Sequence, residues 1–223
     1  MGVSMSDFTN FITTILIRLY SLAVLRPLTK EQKTILVDRF QQKGVLLRHI
    51  KRLAKYDLGE WSYGEPKVFD FGACATLKVG KFCSFGPGVK ILLGEEHRID
   101  TVTTYPFSSI FRYASHLPDI TWTKGDVVIG SDVWIGQESL ILSGVKIGNG
   151  AVIGARTTVV RDIAPYSITA GCPGTHRRFR FDQGKIEMLE RIAWWDWPME
   201  RIEQALPLLL SNRIEEFLEK YAE

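Results

Sequence analysis

Between Ile129 and Val160 the chain reads IGSDVW IGQESL ILSGVK IGNGAV IGARTT VV, and the aliphatic positions Ile129, Ile135, Ile141, Ile147, Ile153 and Val159 return every sixth residue. A half-buried strand alternates with period two and an amphipathic helix repeats near 3.6, so a sustained period of six matches neither. It matches a β-helix, a coil in which each hexad is one short strand plus one turn and every sixth side chain joins a continuous buried row. β-branched side chains suit that inward, pleated position. Gly130, Gly136, Gly148 and Gly154 follow four of the six repeat residues, where a missing Cβ lets the chain turn a corner closely. Three hexads make one triangular coil, and successive coils stack about 4.8 Å apart. A weaker ladder precedes this one at Ala73, Val79, Phe85 and Ile91. Ile91 and Ile129 are 38 residues apart, not a multiple of six, so residues 94–125 leave the prism as a loop. An excursion that long on a repeat scaffold is more often functional than idle.

Helical patterns flank the repeats. Residues 8–26 are rich in Phe, Ile and Leu but carry Arg18 and end at Arg26, which suits a helix with one apolar face and not a membrane span. Asp7 and the absence of a small-residue cleavage site argue against a signal peptide. A second helix is expected from Thr29 to about Tyr56, with Leu46, Leu47, Ile50 and Leu53 among its inward residues. Either this arm covers the open end of the coil or residues 8–26 touch a membrane surface. After Pro173 and Gly174 end the ladder, Asp182 is the expected N-cap of a helix with Ile186, Leu189 and Ile192 inward. One last helix is expected from Pro198 to about Tyr221. The expected division is therefore a helical arm at 1–58, the coil at 59–174 and C-terminal helices at 175–223.

Composition narrows the function classes. A net charge of +3 with 24% charged residues leaves no nucleic-acid footprint. Cys74, Cys83 and Cys172 form an odd set without metal-type spacing, which suits a reducing, cytoplasmic compartment and predicts no metal. No phosphate-binding loop of the Walker type and no dinucleotide fingerprint is present.

Several ordered segments carry a resemblance: VGKFCSFGPGVK at Val79–Lys90, GEEHRID around His97, TYPF at Thr104–Phe107, GDVVIGSDVWIG at Gly125–Gly136, then GVKIGNGAVIGARTTVVRDIAPY, AGCPG and RFDQGKIEMLERIAWWDWP. Together they resemble the hexapeptide-repeat acyltransferases, and in particular their xenobiotic acetyltransferase branch, from about Gly59 to the C-terminus. The resemblance implies a mainly β fold, a left-handed parallel β-helix with N-terminal and C-terminal helical appendages, assembled as a homotrimer with clefts between subunits. It implies acetyl-CoA as acyl donor and His97 as the general base that takes a proton from an acceptor hydroxyl. It places Trp134 by the acetyl group, and the Gly136 and Gln137 amides at the thioester. It also gives Ala155 a contact to the pantetheine arm, and Arg161 and Arg178 to the phosphates. Trp61 and Tyr63, in GEWSYG, and Tyr105 become candidates for acceptor contact. Glu96 stands where the family usually has Asn, and Glu95, Glu96 or Asp100 is a candidate to orient His97.

The expected reaction is direct acetyl transfer to a hydroxyl, less readily an amine. A carbohydrate acceptor near the inner face of the membrane is the first expectation, because the N-terminal arm is additional to the drug-modifying enzymes. Acetylation of chloramphenicol or a streptogramin is the second. A catalytically silent scaffold is the third, opposed by the retention of His97 and Trp134.

Overall fold

The computed structural model describes residues 46–222, except 71 and 73. Its parallel sheets are the three faces of a prism, and the hexad is one face plus one corner. The first face stacks β1 (Asp57–Leu58), β3 (Leu77–Val79), β8 (Val127–Ile129) and β11 (Lys146–Ile147). The second stacks β4 (Ser84–Phe85), β9 (Trp134–Ile135), β12 (Val152–Ile153) and β14 (Ser167–Ala170), with β15 (Thr175–Phe179) added antiparallel at its end. The third stacks β2 (Lys67–Phe69), β5 (Lys90–Leu92), β10 (Leu140–Ile141) and β13 (Thr158–Val159).

The repeat residues sit in register. Val79 pairs with Ile129 and Ile129 with Ile147; Phe85, Ile135 and Ile153 form the second row, and Ile91, Ile141 and Val159 the third. All nine are at most 4% exposed. Each such side chain contributes about 1.5 to 3 kcal/mol of burial, so these rows supply the core of the prism. Partners above Ile129 are 18 residues apart, whereas Val79 and Ile129 are 50 apart. The difference equals the 32 residues of 94–125, so the excursion is a pure insertion that leaves the coil register unchanged.

The corner glycines serve a different purpose from the one their position suggests. A Cβ on Gly136 would lie 2.5 Å from the Ala155 nitrogen and one on Gly148 2.5 Å from the Pro165 nitrogen, so these residues allow the next coil to sit close. The turning is done two residues later, at Asp132, Glu138, Gly144, Gly150 and Arg156, all with φ between +57° and +74°.

The excursion contains β6 (Glu96–His97), paired antiparallel with β7 (Thr121–Trp122), and the short helix α1 (Phe107–Ile110). It leaves after the third face and rejoins at the first, so it stands on the edge between them.

Two expectations about helices need correction. Residues 46–56 form two 3-10 turns, Leu47–His49 and Lys51–Leu53, instead of the end of a long α-helix. The chain is pinned to the prism here: Leu46 bridges to Tyr63 and the Leu47 amide donates to the Ser62 carbonyl, which takes that amide out of any helical ladder. Leu46, Leu47, Ile50 and Leu53 are buried as anticipated. The rest of that predicted helix, residues 8–26 and the first ladder position Ala73 lie outside the described residues. At the other end, α2 (Gln183–Ile192) is capped by Asp182, which accepts from the Lys185 amide at 3.0 Å, and buries Ile186, Leu189 and Ile192. The single last helix is two, α3 (Met199–Leu209) and α4 (Ile214–Tyr221). Pro207 lies in the last turn of the first, and the Ser211 hydroxyl caps the break after it by donating to the Leu208 carbonyl and accepting from the Arg213 amide.

Residues 46–195 form one compact unit, whereas 196–222 belong to another. Trp194 packs on Phe82 at 5.1 Å in the first unit; Trp197 in the second sits under the Arg201 guanidinium at 4.0 Å. Among the described residues, no helix is long and apolar enough to cross a membrane.

Candidate active site

His97 lies exposed on β6, and its Nδ1 is 2.7 Å from the Thr104 carbonyl oxygen. A carbonyl can only accept, so Nδ1 carries the proton, and in the neutral ring Nε2 holds the lone pair. None of the acidic neighbours holds the ring. Glu96 turns its carboxylate to the Ser143 hydroxyl on the prism, with its second oxygen buried and unpartnered. Asp100 pairs with Arg98 at 2.5 Å, and Glu95, at φ +70°, turns the exposed chain. Ser143 is buried and also accepts the Lys124 amide, so one hydroxyl ties both ends of the excursion to the prism. Tyr105 follows the carbonyl that orients His97 and begins an aromatic run, 4.8 Å from Phe107, which stacks on Phe111 at 5.6 Å.

The donor candidates lie on the second face. Ser84, Trp134, Val152, Ile168 and Arg178 are successive register partners there, alternating with the inward row of Phe85, Ile135 and Ile153. Tyr63 extends the column downward through its bridge to Ser84. Trp134 is 58% exposed on this face. From Trp134 to Arg178 is three rungs, about 14 Å. Trp61 stands just before this column, with the Arg48 guanidinium 5.9 Å from its ring centroid.

Beside that column runs the edge between the second and third faces. The Gly136 amide donates to the Ile153 carbonyl at 2.8 Å, so it belongs to the ladder and has no hydrogen left for a thioester. The Gln137 and Ala155 amides, one coil apart, have no partner among the described residues, and both residues are exposed. Above them the Arg177 guanidinium donates to the Ala170 carbonyl at 3.2 Å. Arg178 instead donates to the neighbouring Phe179 carbonyl. Arg177 was missing from the expected set: it lies at the register shift of β15, between the pairs Ile168–Arg178 and Thr169–His176, and sequence alone does not reveal such a bulge. Arg161 is exposed and sits one coil above Ser143, on the edge that carries His97.

Thus Tyr63, Trp134 and Arg178 share one column, with Gln137, Ala155 and Arg177 along its border, whereas His97, Tyr105 and Arg161 stand at the edge between the third and first faces. In a triangular coil that edge is the vertex opposite the second face. One chain therefore does not bring its own His97 to its own Trp134.

A half-buried polar cluster occupies the remaining edge. Arg180 donates to the Gly150 carbonyl at 2.8 Å and to Asp132 at 3.3 Å, while Asn149 donates to Glu190 at 3.1 Å. Burial raises the carboxyls of Asp132 and Glu190 above their ordinary range and raises the Tyr166 phenol, whose hydroxyl is buried without a partner. Among the described residues no group of His, Cys, Asp or Glu could hold a metal.

Residues 126–161 match the bacterial transferase hexapeptide (six repeats) family. A chloramphenicol acetyltransferase of Escherichia coli is 39% identical over 193 residues, covering 77% of this chain and 90% of its own. A probable macrolide acetyltransferase of Lysinibacillus sphaericus is 45% identical, covering 66% and 84%, and a virginiamycin A acetyltransferase of Staphylococcus aureus is 43% identical, covering 71% and 78%. With the hexad prism and its histidine-bearing excursion, these relatives place the chain among the hexapeptide-repeat acetyltransferases, in their xenobiotic acetyltransferase branch.

Proposed function

We propose that this chain moves an acetyl group from acetyl-CoA to a hydroxyl of a xenobiotic, working as a homotrimer of left-handed prisms in the cytoplasm. The observation that carries the reading is the fixed His97 tautomer at a vertex that its own donor column does not reach. A ring of three prisms would set the His97 edge of one chain against the second face of the next, giving three equivalent clefts under closed cyclic symmetry. His97 Nε2 would take the acceptor proton as the oxygen attacks the thioester carbonyl, then return it to the departing CoA thiolate. The tryptophan side chain of the neighbour would cover the acetyl group, and the Gln137 and Ala155 amides would donate hydrogen bonds to the extended acetyl-CoA. Such preorganised donors are worth about 3 to 4 kcal/mol where charge develops.

The acceptor expectation changes. A carbohydrate came first because of the N-terminal arm, but the relatives that cover most of their own length with this chain are named for chloramphenicol, macrolide and virginiamycin acetylation. These support the xenobiotic reading, and the aromatic run from Tyr105 to Phe111 suits an apolar, ring-containing acceptor. Contact of residues 8–26 with a membrane surface stays a proposal, tested by the difference in liposome binding between the full chain and a chain without them. Release of CoA thiol in the presence of chloramphenicol, a streptogramin, a macrolide and a sugar-nucleotide panel tests the function. Turnover with a drug, lost in His97→Ala, is expected; turnover with sugars alone would return the carbohydrate reading.

A further inference from the structure

Glu138 and Arg156 occupy equivalent corner positions one coil apart, between the second and third faces, and form an ion pair at 3.3 Å. Both adopt left-handed backbone, φ +58° and +57°, at a position that Gly88 fills one coil below Glu138 and Gly144 and Gly150 fill at other corners. A side chain there costs about 1 kcal/mol relative to glycine, a cost the coil also accepts at Phe82, Asp132 and Tyr166. An exposed ion pair returns little of that cost. The pair's neighbours suggest what else it does. Arg156 follows Ala155, and its own amide donates to the Gln137 carbonyl, so it is rooted between the two unpartnered amides of the donor edge. The guanidinium is 79% exposed. One rung higher the same edge carries Arg177, anchored on the Ala170 carbonyl.

We infer that Arg156 is a second phosphate ligand for the donor, held by Glu138 until the diphosphate of CoA arrives and then closing on it opposite Arg177. This rests on the donor lying along the Gln137–Ala155 edge. The chemistry favours an anion of high charge density: a forked guanidinium exchanges one carboxylate for a phosphate without leaving its plane, and the second arginine supplies the charge that draws the anion in. Glu138 then has a defined role. It holds Arg156 at the corner when no donor is bound, and it competes with the phosphate for the same guanidinium.

The test is calorimetric titration of the full chain with CoA and, separately, with pantetheine, which has the same arm and no phosphate. Glycine is the substitution of choice, since both positions already have the backbone it prefers. Arg156→Gly is expected to weaken CoA binding about tenfold and to leave pantetheine unchanged, the ratio set by one charge-assisted contact. Glu138→Gly is expected to tighten CoA about two- to threefold, by removing the competitor, and the double variant to behave like Arg156→Gly alone. Equal losses for CoA and pantetheine, or CoA binding unmoved by Arg156→Gly, would overturn the inference while leaving the donor reading intact. Wild-type protein that binds neither ligand would overturn the donor reading, and the inference with it.

Discussion

Ser143 controls where His97 stands, although the two residues are 46 positions apart. Its hydroxyl donates to Glu96, the residue before His97, and accepts the Lys124 amide at 3.3 Å. Ser143→Ala removes both contacts in a buried setting and leaves Glu96 with neither oxygen partnered there. A hydrogen bond to a charged group contributes about 1.5 to 3 kcal/mol and a neutral one about 1, so the excursion loses about 2 to 4 kcal/mol of anchoring. The prism keeps its ladder, since Ser143 contributes no strand. The expected effect falls on geometry: a base displaced by about 1 Å costs about a hundredfold, and partial displacement correspondingly less. Steady-state kinetics with varied acetyl-CoA should show kcat reduced about ten- to a hundredfold with the donor KM unchanged, because the donor edge belongs to another face. A kcat within twofold of wild type, or a loss carried mainly by the donor KM, would refute the clamp.

Three further outcomes follow from the same structure. Gly136→Ala would push a Cβ to 2.5 Å from the Ala155 nitrogen and should cost about 2 to 4 kcal/mol of overpacking, lowering Tm by about 5 to 15 °C, whereas Gly184→Ala meets only Asp182 at 3.5 Å and should raise it slightly through helix propensity; calorimetry on both decides, and equal shifts would contradict the coil-spacing argument. Glu190 binds its proton more tightly folded than unfolded, so its contribution to stability is full below its ordinary range and is lost as pH rises through its raised pKa; Glu190→Gln should therefore gain on wild type as pH rises from about 4 to 7, measured by Tm at each pH. Burial pushes the Cys83 thiol up to about 11, so a thiol reagent should titrate Cys74 and Cys172 in the native protein and Cys83 only after unfolding; rapid labelling of all three would contradict its burial.

The inner rows were legible because a period of six admits one kind of buried coil, and every repeat residue from Val79 to Val159 took its predicted place. Residues 46–56 were misread for a physical reason. Leu46, Leu47, Ile50 and Leu53 satisfy helical spacing, but the hydrogen bond from Leu47 to Ser62 joins residues whose pairing depends on the coil itself. The partner of His97 was hidden for a related reason, since every residue has a carbonyl and no composition marks the one at Thr104. The motif GDVVIGSDVWIG located the Gly136 amide but could not show that the ladder uses it. The separation of His97 from Trp134 needed the direction of the coil, which follows from the strand order of the three sheets.

That separation is the central claim, and subunit complementation tests it most directly. His97→Ala removes the base, and Ala155→Trp fills the donor edge; each alone should be inactive in CoA-thiol release with the best acceptor. Co-assembled from equal amounts, the two should regain about a quarter of wild-type activity, because a working cleft needs His97 from one chain and Ala155 from its neighbour. A mixture shown to contain hybrid trimers yet as inactive as either parent would mean that each chain completes its own site, contrary to the account given by the prism.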